Sequence, residues 1–184
     1  MKIIKTGIEG LVIIEQHLQE HQNSTETYTS FSLQEFQKKV ENIQFVQENE
    51  SMSTFGVIRG LHYQEMPYTQ SKLIRCIKGK ILDVALDIRK YSPTYGKHIA
   101  IELSGDKHQL FFIPKGFAHG FSVLSENAII QYKCDNFYHP EFERGINPLD
   151  EKLGIDWKIP KDKILMSEKD KKYNILNEEE IVIL

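Results

Sequence analysis

Between about Ile43 and Cys134 the chain is a succession of short runs rich in Ile, Val, Leu, Phe and Tyr. Gly, Pro or Asn break these runs at the spacing of a β-sandwich or barrel. The runs are GVIRGLHYQ, KLIRCIKG, KILDVALDI, HIAIELS, QLFFIP, GFSVLS and AIIQYKC, and together they predict an all-β fold. In KILDVALDI, Leu82, Val84, Leu86 and Ile88 share one face and Ile81, Asp83, Ala85 and Asp87 the other, because strand side chains alternate. KLIRCIKGKILDVALDI reads as a hairpin turning at Lys78-Gly79-Lys80, where Gly79 can take a positive φ at little steric cost. A regular strand over GVIRGLHYQ sends Ile58, Gly60 and His62 to one face and Val57, Arg59, Leu61 and Tyr63 to the other. A Gly two residues before a His also leaves room for a ligand against the backbone.

The flanks differ from this core. Ser32-Leu33-Gln34-Glu35 is a capping box, followed by Phe36 and Val40 at i, i+4 spacing, and predicts the one strong helix. Gln16 to Ser30 is polar without periodicity and reads as an extended loop. Beyond Phe137 the chain is charged and punctuated by Pro140, Pro148 and Pro160, which predicts irregular structure and short helices laid on the barrel. With no repeat or linker visible, residues 1–184 read as one domain, its core at about 43–135 and its C-terminal segment, 136–184, packed upon it.

Composition narrows the function. Of 184 residues, 40% are hydrophobic and 27% charged, which excludes a disordered chain. Lys and Arg total 23 against 26 Asp and Glu, a net charge of −3, so no positive field favours nucleic acid or an anionic membrane. No apolar run approaches the ~20 residues of a membrane span. Lys5, Glu9 and Glu15 break the apolar N-terminus where a signal peptide would be continuous, and a cytoplasmic protein is expected. Cys76 and Cys134 lie in apolar runs without C-x-x-C spacing and read as buried, reduced and non-catalytic thiols.

Polar residues inside predicted central strands are the informative ones, because burying them is costly unless they are paired or used. They are Arg59 and His62, Lys72, His119, and Tyr132 with Lys133. Each alone has a plainer reading: a hydrogen-bonded core histidine, a rim tyrosine, a solvated edge charge. Asp83 and Asp87 could likewise face solvent, and their spacing does not make a glycosidase pair. No two His lie two apart as a barrel metal site would have them, and neither G-x-G-x-x-G nor a P-loop occurs.

Taken jointly, FVQENESMSTFGVIRGLHYQ, KLIRCIKGKILDVALDIRKYSPTYGK, LFFIPKGFAHGFSVLSENAIIQYKC, GIDWKIP and LMSEKD resemble the dTDP-4-dehydrorhamnose 3,5-epimerase family over about Phe45 to Asp170. The resemblance implies a cupin-like jelly-roll barrel and a homodimer without metal or organic cofactor. It also implies a nucleotide-diphospho-sugar substrate, a 4-keto sugar inverted at C3 and C5. A ketone at C4 acidifies the hydrogens at C3 and C5, so the chemistry needs a base on one face, an enolate stabiliser, and an acid on the other face. By resemblance His62 is the base, oriented by Asp170. Lys72 sits by the C4 oxyanion with help from His119, and Tyr132 is the acid. Arg59 and Gln47 resemble residues that hold the nucleotide diphosphate, Tyr138 the aromatic that packs on the base, and Asp83 a buried acid near His119; Asn49 is expected as a further substrate-binding residue.

One stretch departs from the family. Relatives carry Asp-x-Arg-Gly before the helix, with its Arg on the diphosphate; here HQNSTETYTSF stands instead, with Asn23 or Ser24 near the missing Arg. An uncompensated loss of that contact would cost about 1.5–3 kcal/mol. The alternatives are therefore a 3- or 3,5-epimerase of a GDP-4-keto heptose, a nucleotide-sugar 3,4-ketoisomerase, or a non-catalytic sugar-binding cupin.

Overall fold

A computed structural model of the chain describes residues 1–16, 19–21 and 25–177. Its strands are β1 (Lys2–Lys5), β2 (Val12–Glu15), β3 (Gln19–His21), β4 (Thr25–Thr27), β5 (Gln47–Thr54), β6 (Ile58–Gln64) and β7 (Lys72–Lys78). They continue as β8 (Lys80–Asp87), β9 (His98–Ser104), β10 (Gln109–Ile113), β11 (Phe117–Val123), β12 (Asn127–Cys134) and β13 (Glu143–Gly145). The helix α1 spans Leu33–Lys39, and its N-cap Ser32 accepts a hydrogen bond from the Glu35 amide, as the capping box predicts. Two antiparallel sheets face each other, one ordered β1-β2-β10-β7-β12-β5 and the other β13-β6-β11-β8-β9.

The core lies between the sheets, where Ile74, Phe111 and Ile130 of the first meet Ile81, Leu103, Phe117 and Phe121 of the second. The split of β8 follows the alternation: Ile81 and Ala85 point into this core, while Leu82, Val84, Leu86 and Ile88 pack outward beneath Ile146, Leu153 and Trp157. The C-terminal segment thus covers the second sheet, with 3₁₀ turns at Pro140–Phe142, Glu151–Leu153, Lys161–Lys163 and Asp170–Lys172. Phe36 of α1 covers Leu73, Leu110 and Phe112 on the outside of the first sheet.

Three expectations need correction. The runs β7 and β8 are not a hairpin: β7 pairs with β10 and β12, β8 with β9 and β11, and Gly79 (φ 79°) carries the chain from one sheet to the other. Each strand has an apolar inner face, and these are buried against each other across the sandwich; alternation alone does not distinguish facing strands from adjacent ones. Second, β6 is not regular. On β11, His119 opposes His62 but Phe121 opposes Arg59, so the pairing gains a residue on β6 at Gly60 and Leu61. Gly60 (φ 126°) makes room not for a ligand but for β11, since a Cβ there would lie 2.5 Å from the Cα of Gly120. Third, part of the 16–30 tract is paired, as a small hairpin of β3 and β4. Residues 23 and 24, which stand where the family's Arg falls, lie outside the described residues.

Candidate active site

The irregularity in β6 builds the site. Inserting one residue puts Arg59 and His62, three apart, on the same wall of a cavity, while Ile58 and Leu61 join the outer apolar cluster. The second sheet also supplies His119 and Phe121 from β11 and Glu143 from β13. The opposite wall comes from the first sheet: Gln47 and Asn49 on β5, Lys72 on β7, Tyr132 and Cys134 on β12. Gln64, Gln70 and Tyr138 close the rim.

Each histidine is backed by a carboxylate. Asp170, which is 2% exposed, reaches His62 because the C-terminal segment runs beside β6, where the Ile58 amide donates to Leu165 O at 2.8 Å and Leu165 N to Gly56 O at 2.9 Å. Its Oδ1 lies 2.7 Å from His62 Nε2, and its Oδ2 accepts from the Gly60 amide at 3.4 Å. Burial alone would raise its pKa, but these hydrogen bonds hold the carboxyl below the ordinary value. An ionised Asp170 accepts from Nε2–H, which leaves Nδ1 as the basic nitrogen. On the facing strands His119 Nε2 lies 2.5 Å from Asp83 Oδ1. Burial pulls the His119 pKa down, against the opposing pull of Asp83, so the ring is held neutral at pH 7.

The remaining charges are similarly set by their surroundings. Lys72 is opposite Cys134 in the β7–β12 register, and burial lowers its pKa. Burial raises that of the Tyr132 hydroxyl, which keeps it protonated. Cys134, expected as an inert core thiol, borders the cavity beside Lys72; burial raises its pKa too, which suppresses the thiolate. Both cysteines are free.

The residues named by the resemblance converge here, with Asp83 and Asp170 behind the histidines. Lys133 does not: it lies on the other face of β12, paired with Glu48 and over the Phe31 ring. Several were missed. Glu143 accepts from Tyr138 OH at 2.9 Å, pairs with Lys169, and stands 3.8 Å from His62 Nδ1. It sits in a charged, Pro-containing stretch with no periodicity to mark it. Tyr173 packs its ring edge-on to His62, 5.7 Å between centroids, in a segment equally unmarked.

Residues 5–178 match the family model described as dTDP-4-dehydrorhamnose 3,5-epimerase. The chain belongs to that family. It is 44% identical to the epimerase of Methanothermobacter thermautotrophicus, covering 99% of this chain and 98% of the relative. To that of Escherichia coli it is 42% identical, covering 97% and 96%. The crystal structure of the Elizabethkingia anophelis epimerase superposes with a TM-score of 0.91 at 42% identity, over 95% of this chain and 96% of that one. The Legionella pneumophila enzyme, solved in complex with dTDP-4-keto-L-rhamnose, gives 0.89 at 43% identity, over 95% and 92%. Membership places the chain among the isomerases and its sandwich among the cupin-like folds.

Proposed function

We propose that this chain inverts C3 and C5 of dTDP-4-keto-6-deoxyglucose without a metal or organic cofactor, as a homodimer in the cytoplasm, with the whole chain as one catalytic domain. The observation that carries the chemistry is that His62 and Tyr132 come from opposite sheets and line opposing walls of one cavity, with Lys72 on the Tyr132 wall. An inversion requires this: the proton leaves one face of the ring and returns on the other.

His62 Nδ1 takes the proton from C3 or C5, and the C–H electron pair moves into the C–C bond as the ketone becomes an enolate. Asp170 stabilises the imidazolium that forms. The Lys72 ammonium is placed for the C4 oxyanion, where a buried cation is worth more than in water. As the enolate collapses, its carbon takes the Tyr132 hydroxyl proton from the far face. Neutral His119, with Nε2–H committed to Asp83, offers Nδ1 as an acceptor, which suits a sugar hydroxyl better than an oxyanion. Arg59 serves the diphosphate, where a guanidinium fork matches phosphate oxygens, with Gln47 and Asn49 beside it. Tyr138, half-exposed at the rim, serves the base. The relatives described above carry dTDP-sugar epimerase names, which favours the dTDP sugar over the heptose, ketoisomerase and binding-only alternatives.

The test is incubation in D₂O with dTDP-4-keto-6-deoxyglucose, followed by mass spectrometry. Two deuterons per sugar are expected. A single deuteron limits the enzyme to one centre, and no uptake from this sugar alongside uptake from a GDP-4-keto heptose refutes the nucleotide assignment.

A further inference from the structure

The aromatic rim is held by glutamines. Residues 136–139 leave β12 carrying two large aromatics, Phe137 at 58% and Tyr138 at 47% exposure, so packing does little to fix them. Their backbone is fixed instead. Gln70 Nε2 donates to Asn136 O at 2.8 Å and Gln64 Nε2 to Phe137 O at 3.1 Å. The Tyr138 amide donates to Gln47 Oε1 at 3.0 Å and the His139 amide to Gln64 Oε1 at 2.6 Å. The other Gln64 donor goes to Tyr68 O at 2.7 Å, and the Tyr68 ring stacks on His139 at 3.6 Å between centroids. Gln64 is only 4% exposed, and a primary amide has two donor hydrogens; both are spent on backbone, which leaves none for a ligand.

We propose that Gln64 is a positioning residue for nucleotide binding, clamping the 136–139 backbone so that Tyr138 is presented ready for the base. This rests on the reading of Tyr138 as the base platform. A platform already ordered saves the ordering cost on binding, so the clamp acts on nucleotide affinity and KM rather than on the proton transfers. Gln47 acts in the same way, since its amide is shared between Asn49 and Tyr138.

The test is calorimetric titration of the full chain with dTDP, alongside kcat and KM. Tyr138→Ala and Gln64→Met are each expected to weaken dTDP binding about tenfold. The double variant should be no weaker than Tyr138→Ala alone, within about twofold. KM should rise with Kd while kcat moves far less. If Gln64→Met does not fold, the half-buried Gln70→Met serves, with about a threefold loss and the same KM-dominated pattern. Losses that multiply in the double variant, or a Kd left unmoved by Gln64→Met or, where that variant does not fold, by Gln70→Met, overturn the clamp while leaving the platform intact. dTDP binding indifferent to Tyr138→Ala overturns the platform and the clamp with it.

Discussion

Two histidine–carboxylate pairs sit in one cavity and differ in what they offer. At His62 the bond to a carboxylate held ionised fixes the tautomer and supports a positive charge that appears during the reaction. At His119 burial dominates and lowers the pKa against the pull of Asp83, so the ring is a weaker base, and in the proposed mechanism it accepts from a sugar hydroxyl. The consequence is asymmetric. Replacing His62 by Ala should lower deuterium uptake by about 10²–10⁴-fold, because a positioned base is lost. Tyr132→Phe should leave abstraction partly intact, so that deuterium still enters the substrate while inverted product falls; normal epimerisation in that variant would remove Tyr132 from the acid role. Both effects are read by mass spectrometry and NMR of the recovered sugar.

At the level of elements, the site depends on how β6 and β11 meet. Gly60 and Gly120 touch backbone to backbone, and the added residue at this point turns Arg59 and His62 onto one wall. Gly60→Ala puts a Cβ against Gly120 at a φ that L-residues avoid; it should destabilise the fold by at least about 2 kcal/mol and abolish activity. Urea unfolding and the exchange assay together measure this. A second device is the loop after β8. Asp87, fully buried, accepts from the Arg89 amide and guanidinium and from the Ser92 and Thr94 hydroxyls, at 2.6 to 3.0 Å. Burial opposes ionisation, but these bonds bring its pKa down to about 2, below the ordinary 3.8. A carboxylate depressed on folding stabilises the native state above its unfolded pKa and loses that contribution as pH falls through the folded one. Stability owed to Asp87 should therefore fade between about pH 4 and 2, by about 1–2 kcal/mol after allowing for solvent screening. Asp87→Asn should flatten that part of the curve, as followed by thermal unfolding across pH.

At the scale of the whole molecule, β5 is an edge strand on which Met52 is 74% exposed, so it offers unpaired backbone and apolar surface to the proposed homodimer. Sedimentation velocity should give twice the chain mass, and a monomer retaining full turnover would refute the dimer as the working form. The apolar-faced strands β6 to β12 were legible in the sequence, as was α1 with its capping box, because burial writes a period of two or 3.6 onto the chain. β1 and β2, which complete the first sheet on β10, lay outside the runs read as strands. β5 was not legible either: its inward row, Gln47, Asn49, Ser51 and Ser53, is polar because the row begins in the cavity wall, and its outward row is exposed. Motif order and resemblance were enough to single out His62, Lys72, Tyr132 and Asp170, which the fold brings to one site. What the sequence determined was thus the all-β class, the family and the proposed reacting groups, because these reside in residue type and local pattern. Only the tertiary structure decided that β7 and β8 face each other instead of pairing, that Arg59 and His62 share a wall, and that Gln64, Glu143 and Tyr173 belong to the site. Those depend on contacts between segments far apart in the chain, and no local periodicity encodes them.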